Sequence, residues 1–118
     1  MSYAVGGVPP EIMGIGPTVA IPKALKKANL EIKDIDVWEI NEAFASQAYY
    51  CVEKLNIPKD KLNQRGGAIA LGHPLAMTGC RMIITMFHEL ERLNKRTGVV
   101  SMCIGTGMGA CGVFEREI

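Results

Sequence analysis

The sequence predicts a single α/β domain, residues 1–118, built on a mixed sheet in the element order βαβαβαββ. The first observation is that short apolar runs alternate along the chain with segments whose apolar residues recur at helical spacing. This alternation is typical of strands joined by crossover helices, which pair in parallel. The second observation is that only the glycine-rich segment CIGTGMG separates the last two apolar runs, which predicts a closing antiparallel hairpin.

The N-terminal part of the chain predicts one strand and one helix. Residues 3–8 form a short β-prone run, followed by the turn-rich segment PPEIMGIGP. Pro17 then begins a helix, because its fixed φ suits the first helical position and its missing N–H is not needed there. Asn29 marks the end of this helix. The apolar face of the helix comprises Val19, Ala20, Leu25 and Ala28.

The middle of the chain predicts two more strands. Residues 35–40 form the second strand, and Asn41 is placed to cap a helix over residues 42–55, in which apolar residues recur at helical spacing. After a polar loop, residues 68–71 form a short and fully apolar run. This run is the third predicted strand.

The C-terminal part predicts a long helix and the closing hairpin. The helix starts after Pro74, and the closing strands are residues 97–102 and 109–114. One side of the helix carries Ile83, Ile84, Phe87 and Leu90.

Composition excludes several classes of function. The formal net charge of +1 gives no electrostatic footprint for nucleic acid or for an anionic membrane. No apolar run approaches the roughly 18 residues that span a bilayer. We therefore expect neither nucleic acid nor a membrane as a partner. The cysteines lack the paired spacing of metal sites, so we expect no metal and reduced thiols in an intracellular compartment. They are Cys51, Cys80, Cys103 and Cys111.

Three polar residues follow predicted strands: Asn41, His73 and Cys103. In open α/β sheets, ligand sites form beyond the carboxyl ends of the strands, so these side chains could converge. A histidine beside a thiol helps to form the reactive thiolate. The glycines after Cys103, Gly105 among them, would let backbone N–H groups approach a substrate, as an oxyanion hole requires.

Each of these residues also has a structural interpretation that the pattern leaves open. Asn41 could be a plain helix cap, and the capping role is compatible with a functional one because an amide has several donors and acceptors. His73 could be a core histidine bonded to a carbonyl. Cys103 could be a small buried apolar residue, since free cysteine is among the most buried residue types. The segment CIGTGMG could be only a tight hairpin.

Four motifs, in order along the chain, resemble those of the C-terminal half of thiolases, the enzymes that cleave or form 3-ketoacyl-CoA. They are EINEAFASQ, GGAIALGHPL, TGCR and CIGTGMG, and the earlier MGIGP is similar as well. The residues of these motifs most resemble those of the peroxisomal 3-ketoacyl-CoA thiolase branch of the family. The resemblance implies a thiolase-like C-terminal half with helices on both faces of the sheet. It also implies acyl transfer to CoA with release of acetyl-CoA in fatty-acid β-oxidation, CoA as the only cosubstrate, a homodimer and a peroxisomal location.

The resemblance also implies a role for individual residues. His73 would activate a nucleophilic cysteine and help to bind the enolate oxygen of acetyl-CoA, and Asn41 would hold the water that completes this oxyanion site. Cys103 would be the general acid/base. The backbone N–H of Gly105 would contribute to a second oxyanion hole, and Phe44 would line the pocket on the CoA side.

The sequence departs from the family pattern in ways that bear on activity. Thiolases carry the nucleophilic cysteine on their N-terminal half, and nothing here matches its motif, so we expect that half as a partner and no activity from this chain alone. Ala76 stands where the family has glycine, and Cys80 where it has alanine. Two other functions stay open: a cysteine hydrolase that uses Cys103 and His73, and a non-catalytic module that binds CoA esters or a partner subunit.

Overall fold

A four-stranded mixed sheet organises the fold in the computed structural model, which describes residues 1–117. The strand order is β1-β4-β3-β2, with β2 parallel to β3 and both other pairs antiparallel. The α/β class and the closing hairpin are therefore confirmed. The strands are β1 (Ser2–Gly7), β2 (Val37–Ile40), β3 (Thr97–Ile104) and β4 (Met108–Glu115).

Four α-helices and three short 3-10 turns complete the chain. The helices are α1 (Pro17–Ala28), α2 (Ala45–Leu55), α3 (Ala68–Leu71) and α4 (Thr78–Arg92). The 3-10 turns are Pro10–Ile15, Ile32–Asp34 and Lys59–Lys61. The predicted bounds of α1 are confirmed, and Asn29 ends it in the left-handed conformation at φ 55°. None of the helices between residues 1 and 117 is long and apolar enough to cross a bilayer.

The predicted third strand, residues 68–71, is wrong: this segment is the single helical turn α3. The Gly72 N–H donates to the Ala68 carbonyl at 2.8 Å, which closes the turn. The outer edge of β2 could pair with a strand that follows it in the chain, but that edge is already occupied. The Asn63 side chain accepts from the Ile40 N–H at 3.0 Å and donates to the Ile40 carbonyl at 2.9 Å. This amide takes the hydrogen bonds that another strand would need, so His73 does not follow a strand.

Helices cover both faces of the sheet, as expected. Along β3, Val99 packs in the cluster that contains the α1 side chains, whereas Val100 packs in the cluster under α4. This alternation follows from the two-residue period of a strand. The α1 contribution comprises Ala20, Ile21, Ala24 and Leu25, and the α4 contribution comprises Met82, Met86 and Leu90.

The apolar side of α4 differs from the predicted one. Leu90 is buried as expected, but Met82 and Met86 are the other side chains fully buried against the sheet. Ile84, which was predicted on the apolar side, is 57% exposed. The buried residues recur every four positions, which aligns them in one row along the helix.

Two glycines bring the N-terminus of α1 directly onto β4. A Cβ added to Gly109 would lie 2.1 Å from the carbonyl carbon of Gly16, and one added to Gly16 would lie 2.3 Å from the Met108 carbonyl oxygen. No side chain fits between these backbones. The contact requires glycine at both positions, which accounts for the second glycine of MGIGP and the last glycine of CIGTGMG.

A buried carboxylate anchors the second half of α4. Glu89 is buried, and it accepts hydrogen bonds from Arg65 at 2.8 Å and from Arg92 one turn further along α4. The hydrogen bond from Arg92, assisted by Arg65, lowers the pKa of Glu89 to about 2 from the ordinary 4.5, although burial opposes this shift.

We predict that Gly109→Ala destabilises the domain by at least about 2 kcal/mol, because the added methyl would overlap the Gly16 backbone. Gly105→Ala is the matched control, since a Cβ there meets no atom within 4 Å. Urea unfolding of both variants measures the difference. Equal stability of the two variants would contradict the close approach of α1 and β4.

We also predict that Glu89 supports stability at neutral pH and loses this effect in acid. Because its folded pKa lies below 4.5, the contribution is present above pH 4.5 and is lost as the pH falls from 4.5 towards 2. Thermal unfolding at pH 5 and pH 3 measures it. Glu89→Gln should show a smaller drop in melting temperature between these values than the unmodified chain, and an equal drop would contradict the assignment.

Candidate functional site

A chain of hydrogen bonds joins Asn41, His73 and Thr78 at the end of β2. The Asn41 amide Nδ2 lies 3.4 Å from His73 Nε2, and His73 Nδ1 is hydrogen-bonded to the Thr78 hydroxyl. An amide nitrogen only donates, so Nε2 accepts and the ring proton lies on Nδ1. The lone pair of His73 Nε2 is thus engaged by the Asn41 amide.

Asn41 is held rigidly by its neighbours. Its backbone N–H donates to the Ser101 carbonyl on β3 at 2.9 Å, which continues the parallel pairing one residue beyond β2. Asn41 is fully buried, and its Oδ1 atom has no hydrogen-bond partner within residues 1–117. A buried amide oxygen without a partner is an acceptor aimed at a ligand or a water.

The interpretation of Asn41 as a plain helix cap is wrong. Helix α2 begins at Ala45, not at residue 42, and the residue before it is Phe44. The N–H of Phe44 donates to the Gln47 side-chain oxygen at 3.3 Å, so Gln47 satisfies the helix start. The side chain of Asn41 is thereby left for His73.

His73 is exposed, so its interpretation as a core histidine is also wrong. It follows Gly72, whose φ of 91° turns the chain sharply after α3. An open depression of about 510 Å³ lies beside the ring, lined mainly by residues 74–80 and by Met102 of β3. The His73 ring thus lies beside space for a reacting group.

Cys103 lies within β3 and not after it. The strand extends to Ile104, and Cys103 pairs with Gly109 across the hairpin. Its side chain is 8% exposed, and burial raises the pKa of its thiol. Cys103 is two residues beyond Ser101, which places it about 7 Å further along the strand than the carbonyl bonded to Asn41.

The structure brings Asn41 and His73 into contact but forms no hydrogen bond from either of them to Cys103. A thiol that a histidine activates would show such a bond and a lowered pKa. Cys103 is instead protonated at neutral pH. This geometry disfavours the cysteine hydrolase and fits a thiol that donates a proton.

The two remaining candidates lie further from this chain of hydrogen bonds. Gly105 is exposed and opens the three-residue turn between β3 and β4, in which Thr106 and Gly107 adopt positive φ angles of 71° and 98°. Phe44 is 59% exposed and lines a shallow depression of about 350 Å³ together with Gln47 and Tyr50.

Sequence reasoning missed Thr78 and Gln47. Both are buried polar residues, and the Gln47 amide also donates to the Asn41 carbonyl at 3.3 Å. Thr78 begins α4 five residues after His73. The available signal for Thr78 was its place as the first residue of TGCR, where its hydroxyl lies in the first turn of the helix that follows His73.

Ala76 adopts an uncommon backbone conformation beside His73. Its φ of 61° lies in the left-handed region, where a side chain costs about 1 kcal/mol relative to glycine. Ala76, which stands where the family has glycine, therefore occupies a position that glycine would adopt without strain. Ala76 also lines the depression beside the histidine ring.

Cys51 is buried on α2 beside the site, where the Gln47 amide donates to its Sγ at 4.0 Å and burial raises the pKa of its thiol. Burial raises the pKa of Cys111 to about 12. Cys80 is exposed on α4. Within residues 1–117, no three His, Cys, Asp or Glu side chains are grouped so that they could hold a metal ion.

The chain is similar to known thiolases over nearly all of its length. It is 69% identical over 115 residues to the peroxisomal 3-ketoacyl-CoA thiolase B of Rattus norvegicus, which covers 97% of this chain and 27% of the rat protein. The chain thus spans about a quarter of the length of that relative.

Two solved structures have the same fold. The dimeric peroxisomal thiolase of Saccharomyces cerevisiae superposes with a TM-score of 0.92 at 58% identity, covering 98% of this chain and 29% of the yeast chain. Human mitochondrial 3-ketoacyl-CoA thiolase, solved in complex with CoA, superposes with a TM-score of 0.97 at 46% identity, covering all of this chain and 30% of the human one.

The family model that describes the C-terminal domain of thiolase matches residues 1–116. Since that match covers almost every residue, this chain belongs to the thiolase family.

Proposed function

We propose that this chain supplies the C-terminal half of the active site of a 3-ketoacyl-CoA thiolase. The complete protein would cleave a 3-ketoacyl-CoA with CoA, forming acetyl-CoA and an acyl-CoA shortened by two carbons. The observation that carries the proposal is the hydrogen-bonded contact between His73 Nε2 and the buried Asn41 amide, beside an open depression that His73 also lines.

In the first half of the reaction, His73 Nε2 exchanges its hydrogen bond from Asn41 Nδ2 for the proton of a cysteine thiol on the N-terminal half. The resulting thiolate attacks the 3-keto carbon, and the bond between carbons 2 and 3 breaks to give an acyl-enzyme and the enolate of acetyl-CoA. The protonated His73 and a water on the Asn41 amide stabilise the enolate oxygen. Cys103 donates its proton to carbon 2, which completes acetyl-CoA.

In the second half, the Cys103 thiolate takes the proton from the thiol of an incoming CoA. The CoA thiolate then attacks the acyl-enzyme, and the backbone N–H of Gly105 stabilises the tetrahedral oxyanion. Loss of the cysteine thiolate releases the shortened acyl-CoA, and His73 returns its proton to that sulfur. The raised pKa of Cys103 suits both steps, because its thiol is present when carbon 2 needs a proton and its thiolate is a strong base.

The wider assignment follows the similarity to whole thiolases. We infer a homodimer, because the matched yeast thiolase is dimeric, and a peroxisomal location, because the rat and yeast relatives are peroxisomal by name. CoA is the cosubstrate, as the human mitochondrial relative was solved with CoA. Phe44 would line the CoA side of the pocket, where its exposed ring is available for contact.

We predict that the chain alone has no thiolytic activity, because its acid/base and oxyanion groups do not replace the covalent step. Loss of acetoacetyl-CoA in the presence of CoA measures this activity, with His73→Ala as the background. Turnover above that background would show a nucleophile within this chain and would contradict the division of the site between two halves.

We predict that Cys103→Ser, in a protein that also contains the N-terminal half, slows turnover by about a hundred- to ten-thousand-fold, because a hydroxyl is a far weaker acid than a thiol. Acylation of the upstream cysteine should persist and is measured by mass spectrometry after a single turnover. Cys111→Ser is the matched control, since it makes the same change at another buried position. If Cys103→Ser lost acylation but kept proton exchange at the acetyl-CoA methyl group, Cys103 would be the nucleophile and the upstream cysteine the acid/base, which would contradict the assigned roles.

A further inference from the structure

A buried ion pair connects β2 with α4 close to the His73 site. Glu39 is 1% exposed, and its carboxylate accepts a hydrogen bond from Arg81 Nη1 at 3.0 Å. The Arg81 side chain is itself 15% exposed. Removing both charges from water costs several kcal/mol per ion, so such a pair is weak evidence for a contribution to stability. Its position in the fold points to a different role.

The pair is aligned with the two residues that hold His73. Glu39 precedes Asn41 by two residues on β2, and Arg81 follows Thr78 by three residues on α4. These intervals correspond to about 7 Å along a strand and about 4.5 Å along a helix. The ion pair therefore connects β2 and α4 within about 7 Å along the chain of the two residues that bond to the His73 ring.

The segment that carries His73 gives its ring little other support. Gly72 and Ala76, on either side, adopt positive φ angles of 91° and 61°, and Leu75 is fully exposed. The side-chain hydrogen bonds of the ring go to Asn41 and Thr78. Its orientation and tautomer thus depend on the distance and register between β2 and α4.

The apolar contacts between β2 and α4 do not fix that register by themselves. Val37 packs with Met82 and Met86, and methionine side chains are unbranched and adapt to small shifts. The hydrogen bond from Arg81 to Glu39 is directional. It is the only ion pair between β2 and α4 within residues 1–117.

We propose that the Glu39–Arg81 ion pair is a positioning device for His73: it holds α4 against β2 so that Thr78 and Asn41 reach the ring together and keep its proton on Nδ1. Neither residue contacts the reacting atoms. The catalytic consequence rests on the proposed thiolase function, whereas the effect on the tautomer does not.

The test uses two variants of the pair and one control. Glu39→Leu combined with Arg81→Met removes both charges and fills the space with apolar side chains, a replacement that buried ion pairs often tolerate. Glu39→Gln keeps the size of the side chain and removes its charge, so it supplies the same readout if the double variant does not fold. Glu89→Gln is the control, because it neutralises an equally buried carboxylate on α4 eleven residues after Thr78.

The first readout is the ring-nitrogen spectrum of His73 in the 118-residue chain at pH 8, assigned with the help of His88→Gln. We expect a single Nδ1–H tautomer in the unmodified chain and in Glu89→Gln. We expect a mixture of tautomers in the double variant and in Glu39→Gln. An unchanged Nδ1–H tautomer in a folded variant of the pair would overturn the proposal, and so would the opposite tautomer in the unmodified chain.

The second readout is kinetic, in the protein that contains both halves. A shifted ring lowers the rate of the proton-transfer step without changing substrate contacts, so kcat should fall between tenfold and a hundredfold while KM changes less than twofold. Glu89→Gln should keep kcat within twofold of the unmodified value. If the tautomer changes as expected but the unmodified protein cleaves no 3-ketoacyl-CoA, the proposed function fails and the positioning role stands.

Discussion

The parallel pairing of β2 with β3 is the constraint on which the rest of the structure depends. It aligns Ile40 with Ser101, and one residue later the Asn41 N–H bonds to the Ser101 carbonyl. The paired backbone places the buried Asn41 amide where it contacts His73. It also places the Cys103 thiol on β3 two residues beyond Ser101. Strand pairing, and not contact between the functional side chains, defines most of the site.

Much of the fold was readable from the sequence because local and tertiary preferences agree there. Helix α1 runs from Pro17 to the left-handed Asn29, and both ends follow from the conformational preferences of those two residues. The strand predicted at residues 68–71 failed because a short apolar run does not distinguish a strand from a buried helical turn. The deciding factor was Asn63, which is distant in sequence and takes the hydrogen bonds at the edge of β2.

The candidate site also contains residues that the sequence predicts and residues that it does not. Asn41 could be found from its place after a strand, whereas His73 was found from its motif, since the strand predicted before it is a helical turn. The residues that support them could not, because Thr78 and Glu39 are defined by what they contact. A buried glutamate inside an apolar strand and a threonine at a helix start have ordinary explanations until their partners are known. Supporting polar residues are thus harder to predict than the groups they hold.

The Asn63 amide on the edge of β2 has a consequence for how the sheet meets other chains. An unpaired strand edge is a template on which another strand can add, and it is a common origin of aggregation. Here one edge is closed by a side chain, while β1, at the other end of the strand order, carries the exposed Tyr3 and Val5. Within residues 1–117, growth of the sheet is therefore directional: a further strand can add beside β1, but beside β2 it would first have to displace Asn63.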